Sequence, residues 1–128
     1  MIVGIGVDVL EVERMRGSIE RYQRRFLDHV FSPEEQAGAP VGAGQATYYA
    51  GRWAAKEAIS KALGVGIGAS CGWKEICVLR GPAGAPTASL SGAAAQTAAR
   101  LGADTIHISI SHERTLACAS AVAEKLEK

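Results

Sequence analysis

The stretch Tyr48–Gly64, YYAGRWAAKEAISKALG, reads as a helix against which the rest of the chain must be placed. Ala55, Ala58, Ile59 and Ala62 recur at i, i+3, i+4 and i+7 and form one apolar stripe. Ala, Lys, Glu and Leu favour helix, and Gly64 stands where a C-terminal stop is expected. At roughly 100° per residue, Trp53, Glu57 and Lys61 lie opposite that stripe. A helix with its back in the core would therefore point one carboxylate and one ammonium outward together. Taken alone, such a pair is an exposed helix contact worth about 0.2–0.5 kcal/mol. Its significance depends on what the flanking segments bring to it.

Immediately before this helix, residues 37–44 (AGAPVGAG) read as a connection. Ser32-Pro33-Glu34-Glu35 reads as a helix start, with Ser as N-cap, Pro at the first position and Glu35 reaching back; that structural role suffices for Glu35. From about Leu10 to Val30 the pattern is helical, with Met15, Ile19, Tyr22 and Phe26 in one stripe. Arg14, Arg21 and Arg25 form a second stripe, either a solvated basic face or a landing strip for an acidic partner. At the N-terminus, residues 2–9 alternate as a strand. Val3, Ile5, Val7 and Val9 share a greasy face; Gly4, Gly6 and Asp8 lie on the other with Ile2, and glycines there suggest close approach of another backbone.

After the helix comes a glycine-rich loop, residues 65–72, without the lysine and hydroxyl of a P-loop. Residues 73–80 and 87–91 read as strands around the turn cluster GPAGAP, and residues 93–101 as an alanine-rich helix closed by Gly102. Residues 105–111, TIHISIS, alternate with Ile106, Ile108 and Ile110 inward. Residues 112–115 make a hairpin connection, 116–123 a last strand and 124–128 a polar tail. The order β-α-α-α-β-β-α-β-β implies an α+β fold, a mostly antiparallel sheet with the long central helix packed on it.

At 128 residues the chain suits one domain, 1–128. A net charge of +1 supplies no bulk electrostatic footprint for nucleic acid or membrane. No run approaches the ~18 apolar residues of a membrane span, and the start is not expected to be a signal peptide, because Asp8 interrupts it and no basic segment opens it. Cys71, Cys77 and Cys118 make no metal-ligand spacing, and an odd number fits a reducing cytoplasm.

Two carboxylates stand out, Asp8 at the end of a glycine face and Glu57 on the outward side of the helix. A pair of oxygen donors completed by water and substrate phosphate is how Mg²⁺ is commonly held. Lys61, one turn from Glu57, could neutralise phosphate or shuttle a proton, and His112 at a strand end could do similar work or simply face solvent.

The chain resembles the holo-[acyl-carrier-protein] synthase family, the short type of 4′-phosphopantetheinyl transferase. The resemblance rests on GIGVDVLEVERM, RWAAKEAISKALG and HISISHERTLACASAVAE, with FSPEE and Gly84-Ala85-Pro86 between them. The chain departs from relatives over residues 37–47, which are short and Gly/Ala-rich, and at Thr87, where a basic residue is common.

The resemblance implies transfer of 4′-phosphopantetheine from coenzyme A to a serine of apo acyl carrier protein, releasing adenosine 3′,5′-bisphosphate. It implies that Asp8 and Glu57 hold Mg²⁺, that Lys61 contacts phosphate near the reacting centre, and that Arg52 and His112 serve the 3′-phosphate side. Gly64 and Pro86 would shape the coenzyme groove, and Arg14, Arg21 and Arg25 would meet the carrier. It further implies a homotrimer with sites between neighbours, His112 and Pro86 coming from a second subunit. Glu57, a metal-held water and Lys61 are all candidate acceptors for the serine proton. The competing expectation is a non-catalytic trimeric binding module on the same scaffold.

Overall fold

The computed structural model describes residues 1–127. In chain order it contains β1 (Ile2–Glu11), α1 (Val12–Tyr22), α2 (Arg24–Val30), α3 (Pro33–Ala37), α4 (Gln45–Ala62), β2 (Ile76–Arg80), β3 (Pro86–Leu90), α5 (Gly92–Leu101), β4 (Thr105–His112) and β5 (Leu116–Glu124). The expected α+β layout holds, with one more helix. The strands form two antiparallel sheets rather than one, β1-β5-β4 and β2-β3. The expected strand at 73–80 opens with a 3₁₀ turn, Trp73–Glu75, and the connection before α4 contains another, Gly42–Gly44. The polar tail begins one residue later than expected, and Lys128 lies outside the described residues.

The predicted stripe of α4 is the core: Ala55, Ala58 and Ile59 are fully buried and Ala62 nearly so, packed with Ala119, Ala121 and Ala123 of β5. Small side chains on both partners let helix and sheet approach closely. The approach is closest at β1, where a Cβ on Gly6 or Gly4 would overlap the carbonyl oxygen of Ala58 or Ala62. Any larger residue would push strand and helix apart. The glycine face of β1 is thus the inner one. Its greasy face is the outer one, and Ile5, Val7 and Val9 are each at least 60% exposed.

A second cluster fills the other flank of α4, with Leu10, Met15, Val30, Phe31, Tyr49 and Ala50 buried together. Trp53 belongs here and not on the outward side: its ring stacks on Phe26 and lies 4.2 Å from that of Trp73. Indole area is better placed in a core than in water.

The region 10–30 departs most from expectation. β1 runs on to Glu11, and the helix breaks at Gln23, whose φ of 53° is left-handed. A left-handed non-glycine residue cannot continue an α-helix. The stripe of Met15, Ile19, Tyr22 and Phe26 is therefore split, and Tyr22 is exposed. The arginine stripe is split too: Arg14 and Arg21 are on α1 and Arg25 is on α2. Among the described residues no helix is long and apolar enough to cross a membrane.

Candidate active site

β1 and α4 bring the predicted acids near enough for the charge of Asp8 to act on Glu57. Asp8 follows Gly4 and Gly6 on the inner face of β1, so the glycine contact that seats the strand also aims this carboxylate along α4. Lys61 Nζ lies 3.1 Å from Asp8 Oδ1 and donates to the Val7 carbonyl at 3.0 Å. Burial pushes the Glu57 carboxyl above its usual range, the negative charge of Asp8 pushes it further, and Lys61 pulls it back. Lys61 is thus ion-paired with Asp8, and Glu57 stands within the field of both.

Two carboxylates that repel each other, one of them already paired with a cationic group, suit a small cation. Among the described residues no cluster of three or more His, Cys, Asp or Glu exists, so a cation here would take two protein oxygens and fill its shell from water and substrate.

Arg52 and His112 meet elsewhere, in a cleft of about 760 Å³ between the start of α4 and the β4–β5 turn. They meet within one chain. Arg16, Arg80 and Arg114 also line this cleft, and none of the three was singled out from the sequence. Only their distance in sequence hid them, because they come from α1, β2 and the turn after β4. Gly64 and Pro86 do not line it. Gly64 (φ +76°) ends α4 in the left-handed conformation that favours glycine, with open space around it. Pro86 opens β3 opposite Arg80.

Arg14, Arg21 and Arg25 are all exposed. Arg14 borders a small pocket with Leu10, Met15 and Trp53, and Arg25 a larger groove with Tyr22, His29 and Lys74. Phe26 lines both. Despite the helix break, a basic surface survives around an aromatic ring, and Lys74 extends it.

The sequence reading missed a lysine altogether. Lys56, between Ala55 and Glu57, is fully buried, and its ammonium donates to Glu35 Oε1 at 2.8 Å, the Val30 carbonyl at 2.7 Å and the Trp73 carbonyl at 3.0 Å. Glu35 makes the expected capping box with Ser32, but that does not exhaust its role. Its carboxylate also takes Lys56 and the Val78 N–H of β2. Burial draws the Lys56 ammonium below its ordinary value while Glu35 draws it back up. Every donor of this ammonium is used inside the protein.

Three comparisons with known proteins bear on the site. The sequence profile of the 4′-phosphopantetheinyl transferase superfamily matches residues 4–119. The holo-[acyl-carrier-protein] synthase of Desulfovibrio desulfuricans is 44% identical, the match spanning 98% of this chain and 100% of that protein. The crystal structure of the holo-[acyl-carrier-protein] synthase of Neisseria meningitidis superposes with a TM-score of 0.89 at 30% identity, covering 98% of this chain and 100% of that one. That of Helicobacter pylori, in complex with coenzyme A, does so with a TM-score of 0.82 at 31% identity, covering 94% and 99%.

Proposed function

The chain belongs to the 4′-phosphopantetheinyl transferase superfamily and, within it, to the holo-[acyl-carrier-protein] synthase family, and from that premise we propose how its own residues carry the reaction. The carrier's serine oxygen attacks the β-phosphorus of coenzyme A. The bond from that phosphorus to the bridging oxygen breaks, and adenosine 3′,5′-bisphosphate leaves. The observation that carries this reading is Lys61 Nζ at 3.1 Å from Asp8 Oδ1, with Glu57 in the same field.

Asp8 and Glu57 hold Mg²⁺ in this scheme. When bound, the cation neutralises pyrophosphate charge and eases departure of the leaving group. Lys61 turns its ammonium to the phosphoryl oxygens. Glu57, whose carboxyl is pushed up in the free protein by burial and by Asp8, is one acceptor this chain supplies for the serine proton, and Lys61 is another. Arg52 and His112 hold the 3′-phosphate.

On α4, Arg52 and Glu57 stand roughly 140° apart around the helix, so the acids and the cationic cleft face different flanks. That separation supports a site completed by a neighbour, one subunit giving Asp8, Glu57 and Lys61 and the next giving its cleft and Pro86. The exposed stripe of Ile5, Val7 and Val9, flanked by Leu116 and Cys118 on β5, supports the same homotrimer. Arg14, Arg21 and Arg25 receive the acidic carrier. The enzyme works in this form as one domain in the cytoplasm.

Incubation with apo carrier protein, coenzyme A and Mg²⁺ tests the reading, through a mass gain on the carrier of about 340 Da. No gain would leave a non-catalytic binding module. Arg14→Glu should weaken carrier binding and flatten its salt dependence without touching coenzyme binding; equal loss of both would remove the arginine surface from the scheme.

A further inference from the structure

Arg52 is a half-buried guanidinium with no carboxylate paired to it among the described residues, and its Nε is buried with no hydrogen-bond partner. A side chain with five donors is normally fixed by its acceptors. Here one group fixes it: the guanidinium carbon lies 4.1 Å above the ring centroid of Tyr48, one helical turn earlier on α4. That distance lies well inside the range over which a cation is held by an aromatic face.

Tyr48 is itself held. Its hydroxyl donates to the Glu35 carbonyl at 2.6 Å, and its ring packs edge-on against Tyr49 at 5.2 Å. Glu35 in turn is clamped by Lys56 and Val78. Burial keeps the Tyr48 phenol above its ordinary value, although Arg52 opposes this, so the hydroxyl remains a donor. A continuous set of contacts therefore runs from the buried Lys56–Glu35 pair, through a tyrosine, to an arginine whose charge is unmatched at the cleft wall.

We propose that Tyr48 is a positioning residue, a platform that fixes the Arg52 guanidinium for a phosphate monoester in the cleft. The proposal rests on the reading above that this cleft takes the 3′-phosphate of coenzyme A. A flat ring beneath the guanidinium leaves its outer edge to the anion and, unlike a carboxylate, brings no negative charge to compete with it. A carboxylate in the same place would have neutralised the charge that the ligand needs.

The test compares coenzyme A with 3′-dephospho-coenzyme A in the full transfer reaction, using Tyr48→Leu, Tyr48→Phe and Arg52→Ala. Tyr48→Leu should raise KM for coenzyme A roughly tenfold, an effect of the size a cation–π contact supports. It should leave kcat, and KM for the dephospho substrate, near their original values. Tyr48→Phe, which keeps the ring, should restore most of the lost affinity.

A purely structural tyrosine would raise both KM values or lower kcat, and that result overturns the proposal. If Arg52→Ala leaves the preference between the two substrates unchanged, the reading of the cleft falls and the platform with it. If Arg52→Ala abolishes the preference and Tyr48→Leu does not, only the platform falls. Should the leucine variant not fold, fluorinated phenylalanines at position 48 weaken the ring's negative face at nearly constant shape. KM for coenzyme A must then rise with fluorination, and a flat series overturns the proposal.

Discussion

Five residues apart on α4, two lysines meet two acids under opposite conditions. Lys56 and Glu35 are both 0% exposed, and all three ammonium donors are used. Lys61 is 49% exposed and Asp8 17%, and the ammonium reaches one carboxylate oxygen and one carbonyl. The first pair joins α2, α3, α4 and β2 through groups that cannot be left bare without a large desolvation cost. The second lies where water screens it, so little is lost when it parts. A lysine locked into a fold and a lysine open to water differ here in what surrounds them, not in their chemistry.

The comparison breaks first, if it breaks at all, on Lys56→Met. Leaving Glu35 buried without its cation should cost about 3–5 kcal/mol in urea unfolding. Glu35→Leu with Lys56→Met should regain part of that, since no charge is then stranded, although the Val78 and Ser32 N–H groups lose their acceptor. A cost under about 1 kcal/mol for the single variant would make the buried pair dispensable. At the open pair the loss should appear in chemistry. Asp8→Asn or Glu57→Gln should lower Mg²⁺-dependent transfer about a hundredfold or more. Their unfolding midpoints should barely move, and full activity in either would remove the metal assignment.

Gly6→Ala probes the frame that holds the open pair. A methyl there meets the Ala58 carbonyl, so stability should fall by about 1–3 kcal/mol and transfer should fall with it as Asp8 is displaced. Unchanged activity would show that the seat of β1 does not set the acid. The smallest effect concerns a third kind of carboxylate, held by backbone alone. The N–H of Gly72, then those of Ala93 and Ala94, keep the Glu75 carboxyl below its ordinary 4.5. The stability this adds is complete above pH 4.5 and is lost as pH falls through the lowered folded value. The gap between wild type and Glu75→Gln should therefore stay constant near neutrality and close in acid, as read by denaturation at a series of pH values.

What could be read from the chain alone follows the same division. The stripe of α4, the Ser32 cap and the inward Ile106, Ile108 and Ile110 all rest on local pattern, which a sequence displays; the expected Glu57–Lys61 pair did too, but the Lys61 ammonium reaches Asp8, 53 residues away, instead. Lys56 was not legible, because a lysine is assigned to water unless its acceptors are known. Those acceptors come from residues 30, 35 and 73. Alternation in β1 grouped the valines correctly but could not say which face turned inward; the bulk that glycine lacks decided it. Gln23 showed nothing in its identity that would mark a left-handed break. The cleft arginines needed the whole topology before they became neighbours.

The bare glycine face of β1 has one more effect. Strand backbone rests on helix backbone with no side chain between them, so no rotamer is available to absorb a mismatch. Elsewhere in the core a methyl can swing to accommodate a disturbance. Along this seam a disturbance passes as rigid displacement, and Asp8 cannot drift from the helix that carries Glu57 unless the strand itself lifts away.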